Sequence, residues 1–251
     1  KMLFPDGLVM ELREDGTAQA QITPDYAEKF TWSQEGGSLA FTEEDLKRVV
    51  SEIQASGGKA DYVLLNMAEG DTVREAVNTV VERHGGLHIL VNNAGITKDK
   101  LLIQMKEEEW DAVVNVHLKG HFCLANVLGR RWRDAKKAGT PVDHPRIINT
   151  SSGAGLQGSI GQSHYAAAKA GIAGLTLVQA AELARYGITV NCLAPAARTS
   201  MTEGAMPELV KKPEAGFDVW DPLNVAAIVV WLGSPLSASV TGRCFEAKGG
   251  E

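Results

Sequence analysis

Leu87-His88-Ile89-Leu90-Val91-Asn92-Asn93-Ala94-Gly95 is the stretch that decides the fold of this chain. Its first five residues are nearly all apolar, as a strand covered on both faces requires, and such strands belong to parallel sheets. The Asn-Asn-Ala-Gly that follows is turn chemistry. Working outward, Arg146-Ile147-Ile148-Asn149-Thr150, Ile188-Thr189-Val190-Asn191-Cys192-Leu193 and Arg243-Cys244-Phe245-Glu246-Ala247 read as further strands, and so does the short run Tyr62-Val63-Leu64-Leu65. Between them lie helical patterns. One follows Thr42, whose hydroxyl caps a start with three acids, and ends at Gly57-Gly58. Another follows Asp71 with Val73, Ala76, Val77, Val80 and Val81 on one face. The rest cover residues 107–133, 163–185 and 222–232. Strands separated by helices need crossovers, which predicts an α/β fold with a doubly wound, mostly parallel sheet of the Rossmann-like kind. Such sheets bind ligands beyond the carboxyl ends of their strands. Residues 92–95, 151–152 and 194–199 all follow strands directly, so they are expected to meet at one cleft.

The opening of the chain reads differently. Residues 8–12 and 17–22 flank Asp15-Gly16, the pattern of a β-hairpin. This atypical hairpin-like segment stands in place of a first β-α-β unit, and no Gly-x-x-x-Gly-x-Gly loop accompanies it. Gly36-Gly37 reads as a plain loop. The expected division is an atypical segment over 1–35 and a Rossmann-like domain over 36–251. Residues 133–145 are polar and read as a surface insertion between a helix and a strand.

A length of 251 residues suits one large α/β domain. The net charge of −6 offers no general attraction to nucleic acid or anionic lipid. No apolar run reaches the roughly 20 residues needed to span a bilayer. Three cysteines, Cys123, Cys192 and Cys244, have neither disulfide-framework nor zinc spacing, and read as reduced thiols of a cytoplasmic protein.

Tyr165 and Lys169 lie four apart on a predicted helix, hence on one face. A free tyrosine, with a pKa near ~10, is a poor base at neutral pH. An ammonium one turn away favours the phenolate, and a tyrosine so tuned exchanges a proton with an alcohol or carbonyl oxygen. Ser152, thirteen positions earlier, ends a strand and could hold the same oxygen. Asn115, on the helix before, could hold a water beside Lys169. Each residue alone has a plain reading as a cap or surface group, but their order and context point to one site. His117 and His121 are four apart on a helix, yet with no third ligand they predict no metal site. His164 is expected on a helix surface, and the tryptophans in packing or an interface.

From about Gly36 to Gly250 the chain resembles the short-chain dehydrogenase/reductase family. The resemblance rests on Asn92-Asn93-Ala94-Gly95, Asn115 in Asn-Val-His-Leu-Lys-Gly, and the strand ending in Ser151-Ser152. It continues through Tyr165-Ala-Ala-Ala-Lys169-Ala-Gly171, Val190-Asn191 to Pro195, and Phe245-Glu246-Ala247-Lys248-Gly249-Gly250. Residues 194–202 are similar to a branch near the (3R)-hydroxyacyl-CoA dehydrogenase modules and their actinobacterial relatives.

The resemblance implies an oxidoreductase that moves a hydride between NAD or NADP and a secondary alcohol or ketone, with an acyl thioester or steroid-like substrate as candidates. It implies Tyr165 as acid/base, Ser152 as partner of the substrate oxygen, Lys169 as tuner of the tyrosine and ribose ligand, and Asn115 as organiser of a relay water. Asn66, Asn93, Ala94, Gly95, Pro195 and Thr199 are the implied cofactor contacts, with residues 195–217 as a substrate lid. It also implies a small-molecule substrate and a homo-tetramer or homo-dimer packed through the helices after Glu107 and Ser163. The missing glycine loop supports a second reading, a non-catalytic subunit of an active paralogue.

Overall fold

A computed structural model describes residues 43–249 except 68, together with five short strand segments among the first 42 residues. Those segments are β1 (Met2–Leu3), β2 (Val9–Leu12), β3 (Ala18–Gln21), β4 (Gln34–Glu35) and β5 (Ser38–Leu39). β2 and β3 pair antiparallel, Val9 opposite Gln21 and Leu12 opposite Ala18, which is the expected hairpin. β1 adds to β2, and β4 pairs with β5. The turn read at Asp15-Gly16 and the loop read at Gly36-Gly37 lie outside the described residues.

The main sheet has the order β6-β7-β8-β9, formed by β6 (Ile89–Asn92), β7 (Arg146–Thr150), β8 (Thr189–Pro195) and β9 (Cys244–Ala247). β6, β7 and β8 are parallel, with Asn92 beside Asn149 and Asn149 beside Cys192. Their carboxyl ends therefore lie along one edge. The helices are α1 (Glu43–Ala55), α2 (Gly70–His84), α3 (Glu107–Val114), α4 (Gly120–Lys137), α5 (Gly153–Gln157), α6 (Ser163–Leu183), α7 (Ser200–Ala205) and α8 (Leu223–Gly233). A single π turn, Asn115–Lys119, joins α3 to α4. α4 runs five residues, 133–137, into the segment expected as a polar insertion. No helix among the described residues is long and apolar enough to cross a membrane.

The run Tyr62-Val63-Leu64-Leu65 forms no strand. Leu64 is 60% exposed, so this stretch lacks the two-sided cover its composition predicts. β6 shows the same feature, with Ile89 42% and Val91 43% exposed.

By contact the chain divides into two units. One comprises Lys1–Tyr62, Ala196–Val230 and Ala247–Glu251; the other comprises Val63–Pro195 and Trp231–Glu246. The second holds a core of Val77, Ala125, Leu128, Trp132, Ile147, Ala180, Ile188 and Val190. Trp132 also donates from Nε1 to the Leu87 carbonyl at 2.8 Å, which joins α4 to the start of β6. Beside this core runs a buried ladder of amides. Asn92 Nδ2 donates to Asn149 Oδ1 at 3.0 Å, and Asn149 Nδ2 donates to Thr176 Oγ1 at 2.9 Å and Gln179 Oε1 at 3.0 Å. Asn92 Oδ1 has no partner among the described residues, but the three bonds still favour one register of β6, β7 and α6, since a slip would break all of them at once.

Candidate active site

Ser152 leaves β7 in extended backbone and caps α5, its Oγ accepting from the Ala154 amide at 3.2 Å. α6 starts eleven residues later and carries Tyr165 and Lys169. Both are buried, Lys169 with 2% of its surface exposed. Ser152 lies close enough to the Tyr165 hydroxyl to lower its pKa. Lys169 Nζ lies 5.5 Å from the centre of the Tyr165 ring and donates to the Thr150 carbonyl at 2.7 Å. Ser151 Oγ donates to the Lys169 carbonyl at 2.8 Å, a second tie between β7 and α6. The structure thus brings Ser152, Tyr165 and Lys169 together.

Electrostatics differ from the expectation that Lys169 pulls the tyrosine down. Burial is the largest influence on Tyr165 and holds its hydroxyl above the ordinary phenol range, while Ser152 pulls the other way. Burial also lowers the Lys169 ammonium to about 7. A lysine so placed takes and gives a proton at neutral pH.

A stability prediction follows with a definite sign. The unfolded chain holds a lysine proton up to a pKa of about 10.4, whereas the native Lys169 releases it near pH 7. Burial of Lys169 therefore costs stability below pH 7, and the cost fades as pH rises towards about 10. Lys169→Met is expected to melt higher than the native chain at pH 6.5, by a margin that shrinks on going to pH 9.5. Melting curves at both pH values check this; equal margins would overturn it.

Asn115 opens the π turn. Among the described residues its side chain has no hydrogen-bond partner, and the group that reaches the tyrosine is His117, two residues on. The His117 ring meets Tyr165 edge to face, with centroids 5.1 Å apart. Its Nε2 lies 3.0 Å from the Ile96 amide and 2.8 Å from the Ile96 carbonyl. Its Nδ1 is buried without a partner. Burial first, and Lys169 second, lower its pKa to about 4, so the ring is neutral at neutral pH. Gly95 makes this packing possible, because a Cβ there would lie 2.3 Å from His117 Cε1. The sequence reading gave His117 no role. The buried face it occupies was the only signal, and the π turn moves that face away from the α-helical count.

His121 is also buried, and its Nε2 accepts from the Thr150 amide at 3.3 Å. His164, expected on the surface, is wholly buried. Its Nδ1 accepts from the Tyr165 amide at 2.7 Å, so Nε2 donates to the Lys98 carbonyl at 2.9 Å. It pins the first turn of α6 to the loop after β6, a use that no apolar periodicity could reveal.

The other sequence candidates are placed as follows. Asn93 and Ala94 are exposed just beyond β6, and Thr150 Oγ1 donates to Asn93 Oδ1 at 3.3 Å. Pro195 ends β8. Asn66 is exposed before α2 and donates from Nδ2 to Glu69 Oε1 at 2.7 Å. Thr199 belongs to the other unit, where it caps α7: its Oγ1 accepts from the Thr202 amide at 3.3 Å and Thr202 Oγ1 accepts from the Thr199 amide at 2.8 Å. In the same unit Arg198 pairs with Asp218 and donates to the Val210 carbonyl at 2.9 Å. Val210 is buried, whereas Met206, Leu209 and Phe217 are exposed.

The fit of a nicotinamide dinucleotide divides along the molecule. The Lys169 ammonium has three donors, of which one is taken by the Thr150 carbonyl; the free donors suit ribose hydroxyls. Asn93 and Ala94 are open beyond the same strand ends. No glycine-rich phosphate loop occurs among the described residues of this unit.

Comparison with known proteins agrees with this geometry. The family described as short chain dehydrogenase matches residues 32–209. The hydroxyacyl-CoA dehydrogenase ChsB1 of Mycobacterium tuberculosis is 46% identical over 214 residues, 82% of this chain and 66% of that protein. The 3-oxoacyl-[acyl-carrier-protein] reductase FabG of Thermotoga maritima is 38% identical over 229 residues, 87% of this chain and 89% of that protein. A short chain dehydrogenase from Mycobacterium avium has a crystal structure that superposes with a TM-score of 0.75 at 50% identity, covering 88% of this chain and 72% of that one.

Proposed function

Because the chain belongs to the short-chain dehydrogenase family, we propose that it interconverts a 3-oxoacyl and a 3-hydroxyacyl thioester with NAD or NADP as hydride carrier. The observation that carries this reading is buried Tyr165, influenced by Ser152 and with the buried Lys169 Nζ 5.5 Å from its ring. The thioester class rests on the similarity to a hydroxyacyl-CoA dehydrogenase and a 3-oxoacyl-[acyl-carrier-protein] reductase.

In the reducing direction the nicotinamide, when bound, supplies a hydride to the carbonyl carbon. Ser152 and the Tyr165 hydroxyl hold the carbonyl oxygen, and Tyr165 gives it the proton as charge develops there. Lys169, with a pKa near 7, replaces that proton and also holds the ribose. His117 backs the ring of Tyr165 and ties it to Ile96 beside the cofactor turn. Asn93, Ala94 and Gly95 line the adenosine side, with Pro195 next to the nicotinamide; Asn66 is assigned to the same cofactor. Contact among Ser152, Tyr165 and Lys169 favours this catalytic role over a purely structural subunit.

We also read the outer faces of α4 and α6 as the contact between copies in a homo-dimer or homo-tetramer. A groove of about 610 Å³ lies there, lined by Phe122, Leu175 and Val178 among others, and Phe122 and Val178 are exposed. Cytoplasmic action agrees with the free buried thiols Cys123 and Cys192.

The test is a titration of the whole chain with NADH and NADPH by fluorescence, followed by turnover of acetoacetyl-CoA. Saturable binding of one nucleotide and a KM of about 1 μM–1 mM are expected. Binding of neither nucleotide would overturn the proposal.

A further inference from the structure

Cys192 on β8 and Cys244 on β9 stand on neighbouring strands with their sulfurs 2.9 Å apart. The sequence spacing of the cysteines gave no hint of this, because 52 residues separate the two. Backbone bonds on either side hold the strands abreast. The Gly242 amide donates to the Val190 carbonyl at 2.7 Å, and the Cys192 amide donates to the Arg243 carbonyl at 2.8 Å. Neighbouring strands run about 4.8 Å apart, inside the Cα separation of about 4.4–6.8 Å that a disulfide spans. Cys192 is buried and Cys244 is exposed, so one sulfur meets solvent and the other waits behind it.

We propose that Cys192 and Cys244 form a thiol-pair modification site that closes to a disulfide on contact with a peroxide. The hydrogen bond between them makes Cys244 the more easily ionised sulfur and Cys192 the less. An exposed thiolate with a second thiol in contact is the arrangement of reversible thiol oxidation. The Cys244 thiolate attacks one oxygen of hydrogen peroxide, the O–O bond breaks, and hydroxide leaves to take up a proton as water. The resulting sulfenic acid on Cys244 is attacked by Cys192 Sγ; the S–O bond breaks, the S–S bond forms and a second water departs. In sum, two thiols lose two electrons and two protons to one peroxide, which becomes two waters. The cross-link fastens β8, whose last residue is Pro195, to β9.

The experiment exposes the whole native chain to hydrogen peroxide, then unfolds it in an alkylating reagent and maps its peptides by mass spectrometry without reductant. The expected product is one linked pair of peptides bearing Cys192 and Cys244, released by dithiothreitol, while buried Cys123 is alkylated as a free thiol. In Cys244→Ser, Cys192 should stay reduced and alkylatable. The proposal fails if Cys244 proceeds to sulfinic acid with Cys192 still free, if Cys244 links to a second copy instead, or if all three thiols remain alkylatable.

Discussion

Tyr165→Phe is expected to lower turnover by roughly 10²–10⁴-fold, the range of a positioned acid–base group. Cofactor binding and melting temperature should stay close to those of the native chain. The phenyl ring keeps the edge-to-face contact with His117 and the position beside Lys169, because both depend on the ring and not on the hydroxyl. What the variant loses is the proton and the hydroxyl's interaction with Ser152. Turnover of acetoacetyl-CoA, measured alongside nucleotide binding, separates the two effects. Retained turnover would remove Tyr165 from the chemistry, and lost nucleotide binding would give it a structural role instead.

Gly155→Ala should be among the most damaging single-methyl changes in the second unit. A Cβ at this position lies 2.7 Å from the Ala170 amide nitrogen, and equally close to the carbonyl carbon and Cβ of Lys169. Two of these atoms are backbone in the middle of α6, which cannot swing aside as a side chain can. Overpacking of this kind costs about 1–3 kcal/mol, or roughly 2–12 °C of melting temperature in a chain of this size. Activity should fall with stability, since the strained atoms belong to the residue that serves Tyr165. Gly153→Ala is the control, because a Cβ there meets nothing within 4 Å. If the two variants melt alike, the close approach of α5 to α6 does not limit stability.

The parallel core of this fold could be read from the sequence because strands covered on both faces show themselves as apolar runs. β7 and β8, buried along nearly their whole length, fall on such runs, and β6 falls on the run that first marks the sheet although Ile89 and Val91 are exposed. The run at residues 62–65 has the same composition but no pairing partner among the described residues, and composition carries no information about pairing. Ser152, Tyr165 and Lys169 were legible because an i, i+4 pair on a helix and a serine at a strand end follow from local geometry alone. His117 and His164 were not. Each is a buried polar side chain, and its use depends on a backbone segment that is distant in sequence: Ile96 for the first, Lys98 for the second. Counting at 3.6 residues per turn sets Asn115 and His117 about 200° apart, so an assignment to the first directs attention to the wrong face.

The π turn at Asn115–Lys119 also has a consequence for how this site varies. Its closing bond runs from the Gly120 amide back to the Asn115 carbonyl, so the helix holds one residue more than an α turn uses. Removing any one of these residues would restore α spacing and rotate one half of the helix against the other by about 100°. α4 is fixed to the core through Trp132 and Leu128, so the rotation would fall on the α3 side. Chain length in this segment works like a vernier: a one-residue insertion or deletion exchanges the side chain presented to the tyrosine, with no substitution required.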